Sequence, residues 1–136
     1  MLHRNAKVEL IRRAPIFAKL PKKQLAEVAS LADEIDVAEG KELTTQGKPG
    51  REFFVLIEGT AAVVRNGRKI NTLRDGDFFG EISVVSGAPR TATVKAQTPV
   101  RALVLTQRDF RALLRRSPHI QEKILDALAE RIPIEA

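Results

Sequence analysis

Hydrophobic and polar positions change rhythm twice along this chain. Residues 4–13 carry Val8, Leu10 and Ile11 on one side of a predicted short helix, which Ala14-Pro15-Ile16-Phe17 interrupts. Pro21 suits the first position of a second helix over 21–32, with Leu25, Val28, Ala29 and Leu31 as its apolar stripe. From 35 to 106 the helical period gives way to short runs. Asp36 to Gly40 turns into Glu42 to Thr45, and Phe53 to Ile57 is a strongly apolar strand ending at Glu58-Gly59. Thr60 to Arg65 and Arg68 to Leu73 flank Asn66-Gly67, the best hairpin signal in the chain. Thr91 to Ala96 and Arg101 to Leu105 are further strands. Helical spacing then returns. Thr106 to Asp109 resembles a capping box ahead of Phe110, Leu113 and Leu114. Ser117-Pro118 starts a last helix over 118–131, with Ile120, Ile124, Leu125 and Leu128 on one side and Pro133 as its stop.

All eight glycines lie between Gly40 and Gly87, which divides the chain into helical, β and helical parts. Several short strands at close spacing indicate a β-sandwich, roll or barrel. The 136 residues, 43% of them hydrophobic, suit a single domain with a real core. The expected organisation is N-terminal helices over 1–34, strands over 35–106 and C-terminal helices over 107–132.

Composition removes several function classes. There is no cysteine, so no disulfide framework, zinc finger or thiol nucleophile exists, and a reducing, cytoplasmic setting is expected. No apolar run approaches the roughly 18 residues that span a bilayer. The only histidines are His3 and His119, so metal chemistry is not expected. Gly40…Gly47-Lys48 fails as a phosphate loop: the glycine spacing is wrong and Pro49 stands where Ser or Thr is needed. That lysine is expected on a β-turn. Nucleophile–base arrangements are lacking too, so the chain is not expected to be an enzyme. The net charge of +6 resides in residues 1–23, which hold seven Lys/Arg and one Glu. This segment is either a solvated helical face or a docking site for an acidic partner, nucleic acid or membrane surface.

The segment 78–94 carries the candidate chemistry. Gly80 to Ser86 is expected to form one helical turn entered from a glycine, with backbone N–H groups available to an anion. From Ile82 to Pro89 no residue is charged, so Glu81 and Arg90 bound a neutral loop. Arg90 offers a planar fork suited to phosphate oxygens, and an ionised Glu81 only accepts hydrogen bonds, as a sugar hydroxyl requires. The residues alone leave two readings open: a polar ligand site, or a structural Glu81–Arg90 ion pair.

Gly80-Glu81-Ile82-Ser83 followed by Pro89-Arg90-Thr91-Ala92-Thr93-Val94 resembles the phosphate-binding cassette of cyclic nucleotide-binding domains. The resemblance extends to Gly40, Gly47, Gly50, Gly59 and Gly76 at the turns of the family's β-roll, and to helices at both ends. It implies an α+β fold: a jelly-roll-like antiparallel β-roll of the double-stranded β-helix type, flanked by N- and C-terminal helices. It also implies roles. Arg90 would pair with the cyclic phosphate and Glu81 with the ribose 2′-OH. Backbone N–H groups of Gly80, Glu81, Ile82 and Thr91 would complete these contacts. Phe79, Ile82 and Val94 would wall the ribose and base, with Ser83 and Ala92 in the same cassette. Thr91 bears on the choice between cAMP, which is favoured, and cGMP. The last helix resembles that of bacterial channel domains, so Leu128 and Arg131 would cover the base. No cofactor is implied beyond the ligand. No helix-turn-helix, kinase or transmembrane region is legible, so direct DNA binding is not expected. The expected partner is a protein effector or a covalently attached output domain. The last helix is too short for several heptads, which favours a monomer or weak dimer.

Overall fold

A computed structural model describes residues 4–135 of the chain, with side chains at 6–126 and at 129. Two helices come first, α1 (Arg4–Arg13) and α2 (Lys22–Leu31). Eight strands follow: β1 (Asp33–Val37), β2 (Glu42–Thr44), β3 (Glu52–Glu58), β4 (Ala61–Arg65), β5 (Arg68–Leu73), β6 (Phe78–Phe79), β7 (Thr93–Ala96) and β8 (Val100–Thr106). The short helix α3 (Glu81–Ser86) sits between β6 and β7, and α4 (Gln107–Arg116) and α5 (Pro118–Glu135) close the chain. The strands form two four-stranded antiparallel sheets, ordered β1-β8-β3-β6 and β2-β7-β4-β5. Together they make the antiparallel β-roll flanked by helices that the resemblance implied.

Strands β3 and β8 at the centre of the first sheet are buried on both faces, which explains their unbroken apolar runs. Phe53, Val55 and Ile57 of β3, with Leu103 and Leu105 of β8, pack into a core shared with Ile11, Phe17, Val28, Phe110 and Ile120 of the helical parts. The intervening residues Phe54, Leu56, Ala102 and Val104 turn to the inside of the roll, against Leu73, Val94 and Ala96. One strand period of two therefore serves two cores. On the rim, Arg101 reaches Glu34, Asp36 and Glu58 at 3.1, 3.3 and 3.9 Å. Its hydrogen bond to Asp36, and then the surrounding carboxylates, raise its pKa.

Local signals explain the joints. Asn66 and Gly67 have φ of 52° and 78°, the paired positive values of a tight hairpin turn between β4 and β5. The Thr106 hydroxyl accepts from Asp109 N at 3.1 Å, and Ser117 Oγ accepts from Ile120 N at 3.2 Å, so both capping expectations hold. Several boundaries differ, among them three at the helices and the first strand. Pro21 precedes α2 in extended geometry, φ −56° and ψ 150°, rather than opening the helix. The first strand begins at Asp33, not 35. The last helix continues past Pro133 to Glu135 and not to 131 or 132. A proline in a final turn removes only one intrahelical bond, so it need not be the stop.

Candidate functional site

The cassette is assembled around the backbone and side chain of Arg90. The turn at 45–48, closed by Lys48 N donating to Thr45 O at 3.1 Å, lies against it. Arg90 N donates to Lys48 O and Gly47 N donates to Arg90 O, both at 2.9 Å. This reciprocal pair holds the residue's own peptide groups. Lys48 thus occupies the expected β-turn, and that turn is part of the scaffold of the site.

The Arg90 side chain is nearly buried, at 7% exposure. Its Nη2 donates to Glu52 O at 2.8 Å and its Nη1 to Gly80 O at 3.1 Å. These backbone carbonyls, rather than the Glu81 carboxylate, receive its hydrogen bonds, so the ion-pair reading of Glu81 and Arg90 is not realised. The two bonds use two of the five N–H donors of the guanidinium. The Arg90 Cζ also sits 5.8 Å from the Phe54 ring centre, and Phe54 stacks on Phe79 at 4.8 Å. Burial lowers the Arg90 pKa, and the charge of Glu52 partly offsets that. It remains a cation, held in place before any ligand arrives.

Two glycines make this possible. Gly80 has φ 89°, which starts α3 from a left-handed residue, and a Cβ there would lie 2.8 Å from both Arg90 Nη1 and Glu52 O. Gly50 is buried with ordinary φ, yet a Cβ there would lie 2.6 Å from Arg90 Cδ and Cζ. Gly50→Ala is therefore expected to push the guanidinium out of its cradle. The variant should stay folded, as judged by circular dichroism, and lose at least tenfold in affinity for a phosphate-bearing ligand, the equivalent of about one charge-assisted bond.

Glu81 is fully buried at the start of α3. It borders a cavity of about 300 Å³, at the lower end of the range for small-molecule sites. Phe79, Gly80, Ile82, Ser83, Arg90, Thr91, Ala92 and Val94 line the same cavity. All nine cassette residues singled out from the sequence thus meet at one space. Leu128 and Arg131 are placed on α5, but their side chains lie outside the described residues.

The other walls were not anticipated. Thr44 on β2, Val63 and Arg65 on β4, and Ile70, Asn71 and Leu73 on β5 complete the lining. The Thr44 hydroxyl donates to Ala92 O and accepts from Val94 N, both at 3.1 Å, where the β2–β7 register shifts. Arg65 Nε donates to Thr91 O at 3.1 Å. The alternation of Val63 and Arg65 ahead of the Asn66-Gly67 turn was the one sequence signal that these residues share a face.

The far end of α3 is tied to the C-terminal helices. Val84 is fully buried, and its carbonyl accepts from Gln107 Nε2 at 3.2 Å and from Arg111 Nε at 2.9 Å. Arg111 Nη2 also reaches Val85 O at 3.5 Å. A cation at the carbonyl end of a helix is favourably placed.

A family model described as the cyclic nucleotide-binding domain matches residues 34–117, which include the cavity and all of the roll except Asp33. The chain belongs to the cyclic nucleotide-binding domain family. This is a regulatory family and not a catalytic one. The domain is 35% identical over 123 residues to a cyclic nucleotide-gated potassium channel of Rhizobium etli, covering 90% of this chain and 34% of the channel. It is 30% identical over 127 residues to the cAMP-dependent protein kinase type II regulatory subunit of Drosophila melanogaster, covering 93% and 34%. The chain thus spans about a third of the length of these curated relatives. Among solved structures it resembles cAMP-bound PfPKA-R, with a TM-score of 0.86, 27% identity, and coverage of 97% of this chain and 45% of that one. It also resembles the catabolite activator protein of Thermus thermophilus, with a TM-score of 0.78, 27% identity and coverage of 88% and 58%. Among the described residues no helix is long and apolar enough to cross a membrane, and no cluster of His, Cys, Asp or Glu could hold a metal ion.

Proposed function

We propose that this domain is a cytoplasmic cyclic-nucleotide sensor that takes cAMP in preference to cGMP and passes the signal to a protein partner or an attached output domain. The observation that carries the reading is the cavity itself, where an anchored arginine and a buried carboxylate border a space of small-ligand size. Arg90 takes the cyclic phosphate through its remaining donors. Glu81 accepts from the ribose 2′-OH, which distinguishes a ribonucleotide from its deoxy analogue. Phe79, Ile82, Ala92 and Val94 supply apolar surface to sugar and base. The preference for cAMP rests on likeness to cAMP-bound PfPKA-R and to a cAMP-dependent kinase subunit.

The route outward starts at α3. A ligand that draws α3 inward pulls on Val84 and Val85, and so on Gln107 and Arg111 of α4. Helix α5 follows α4, and Leu128 with Arg131 closes over the base. Such coupling is typically about 1–3 kcal/mol.

A thermal-shift series with cAMP, cGMP and 2′-deoxy-cAMP tests the reading. A ligand at about 100 times its dissociation constant adds about 2.7 kcal/mol of stability. Both cyclic ribonucleotides should raise the melting temperature, cAMP at the lower concentration, and the deoxy analogue should lag. An unchanged melting temperature with all three would defeat the sensor reading. Hydrogen exchange over 118–131 that is identical with and without cAMP would defeat the lid.

A further inference from the structure

The positive charge of the N-terminal segment has a definite place in the fold. Arg12 pairs with Glu9 at 3.4 Å. Lys19, Lys22 and Lys23 are exposed where the chain turns into α2, and none of them forms an ion pair among the described residues. Lys23 borders a second cavity, of about 330 Å³, between α2 and the joint of α4 and α5. Its apolar lining is Leu20, Leu113 and Ile120. Lys23 stands on the α2 side and Arg116 on the α4 side. No residue lines both this groove and the cavity at Arg90.

One carboxylate already sits in the groove. Glu27 of α2 pairs across it with Arg116. The Arg116 side chain nonetheless stays 59% exposed, and a guanidinium has five donors, so one acid does not saturate it. Lys19, Lys22, Lys23, Arg115 and Arg116 thus face a single acid, Glu27. Charge complementarity calls for an acidic occupant. The apolar lining between helical walls calls for one that also inserts apolar side chains, as an amphipathic helix does in a groove. Nucleic acid fits less well. The chain has no Trp or Tyr, and none of its six phenylalanines is exposed as a stacking platform. A membrane surface also fits less well, because the large hydrophobic side chains exposed among the described residues, Ile70, Val85 and Leu125, do not line this groove. We infer that the groove between α2 and the α4–α5 joint docks an acidic amphipathic helix of a partner protein. As the place where a sensor meets its effector it rests on the reading above; as a docking groove it stands on its own residues.

The test is fluorescence anisotropy of a labelled synthetic helix, with Leu at i, i+3 and i+7 and Glu on its other faces, titrated with the protein. Saturable binding that weakens as salt rises is the expected result. Lys23→Glu and Arg116→Glu should each weaken it by roughly tenfold while leaving cAMP calorimetry unchanged. Lys23 has no ion pair to lose, so its variant keeps the test decisive if loss of the Glu27 bond unfolds the other. A scrambled peptide of the same composition should bind roughly tenfold more weakly, because it cannot seat its leucines together. An acidic helix that does not bind overturns the inference, as does an unchanged constant for Lys23→Glu or a scrambled peptide that binds equally well. Tighter binding to phosphatidylserine vesicles or to duplex DNA than to the acidic helix overturns it too, by assigning the cations to those surfaces. A wild type that binds the helix but neither cAMP nor cGMP defeats the sensor reading and leaves the groove standing; one that binds cAMP and not the helix defeats only the groove.

Discussion

Replacing Arg90 with alanine is expected to weaken cyclic-nucleotide binding by roughly a hundredfold or more, measured by displacement of a fluorescent analogue. In the proposed role the side chain makes two charge-assisted bonds to the phosphate, each contributing about 1.5–3 kcal/mol. The fold should survive. The carbonyls of Glu52 and Gly80 lose their donors, but the space the guanidinium vacates adjoins a cavity, bordered by Gly80, that water can enter. Arg90→Lys should recover only part of the affinity, because a lysine cannot span both carbonyls and a phosphate with one planar fork. An Arg90→Ala protein that binds within a few-fold of the wild type would remove Arg90 from the site.

The second large effect concerns stability. Phe53 is fully buried in the core between helices and sheet, stacked on Phe110 at 4.0 Å and tilted against Phe78 at 5.6 Å. Phe53→Ala should cost about 3–5 kcal/mol by urea unfolding, a large part of the 5–15 kcal/mol typical of a domain. A loss below about 1 kcal/mol would show that the helices do not share a cooperative core with β3. The adjacent Phe54 faces the roll interior beneath Arg90. Neighbouring phenylalanines thus divide their work: one joins helices to sheet, the other supports the Arg90 guanidinium.

What was legible beforehand was local. Asn66-Gly67, Thr106, Ser117 and the glycine-led turn at Gly80 declare themselves within a few residues, because positive φ and capping bonds depend on near neighbours. The nine cassette residues were legible through the family resemblance, whose motif is contiguous apart from residues 84–89 and Thr93. The contacts that shape the site span longer distances in sequence. Gly50 crowds Arg90 from 40 residues away, Thr44 bridges Ala92 and Val94, and Arg65 reaches Thr91. No spacing rule announces these, because they depend on strand register. Strand β6 is two residues long and shows no alternation, so only its pairing of Phe54 with Phe79 and Val55 with Phe78 reveals it. The apolar run of β3 was evident, but which of its residues faces which core follows from β8 on one side and the helices on the other.

The roll, the anchored arginine and the buried glutamate matter for function only if they hold a cyclic nucleotide. Titrating cAMP into the wild-type protein by calorimetry tests this directly. A saturable heat with one site per chain is the expected result. A folded protein that gives no saturable heat with either cAMP or cGMP would contradict the account.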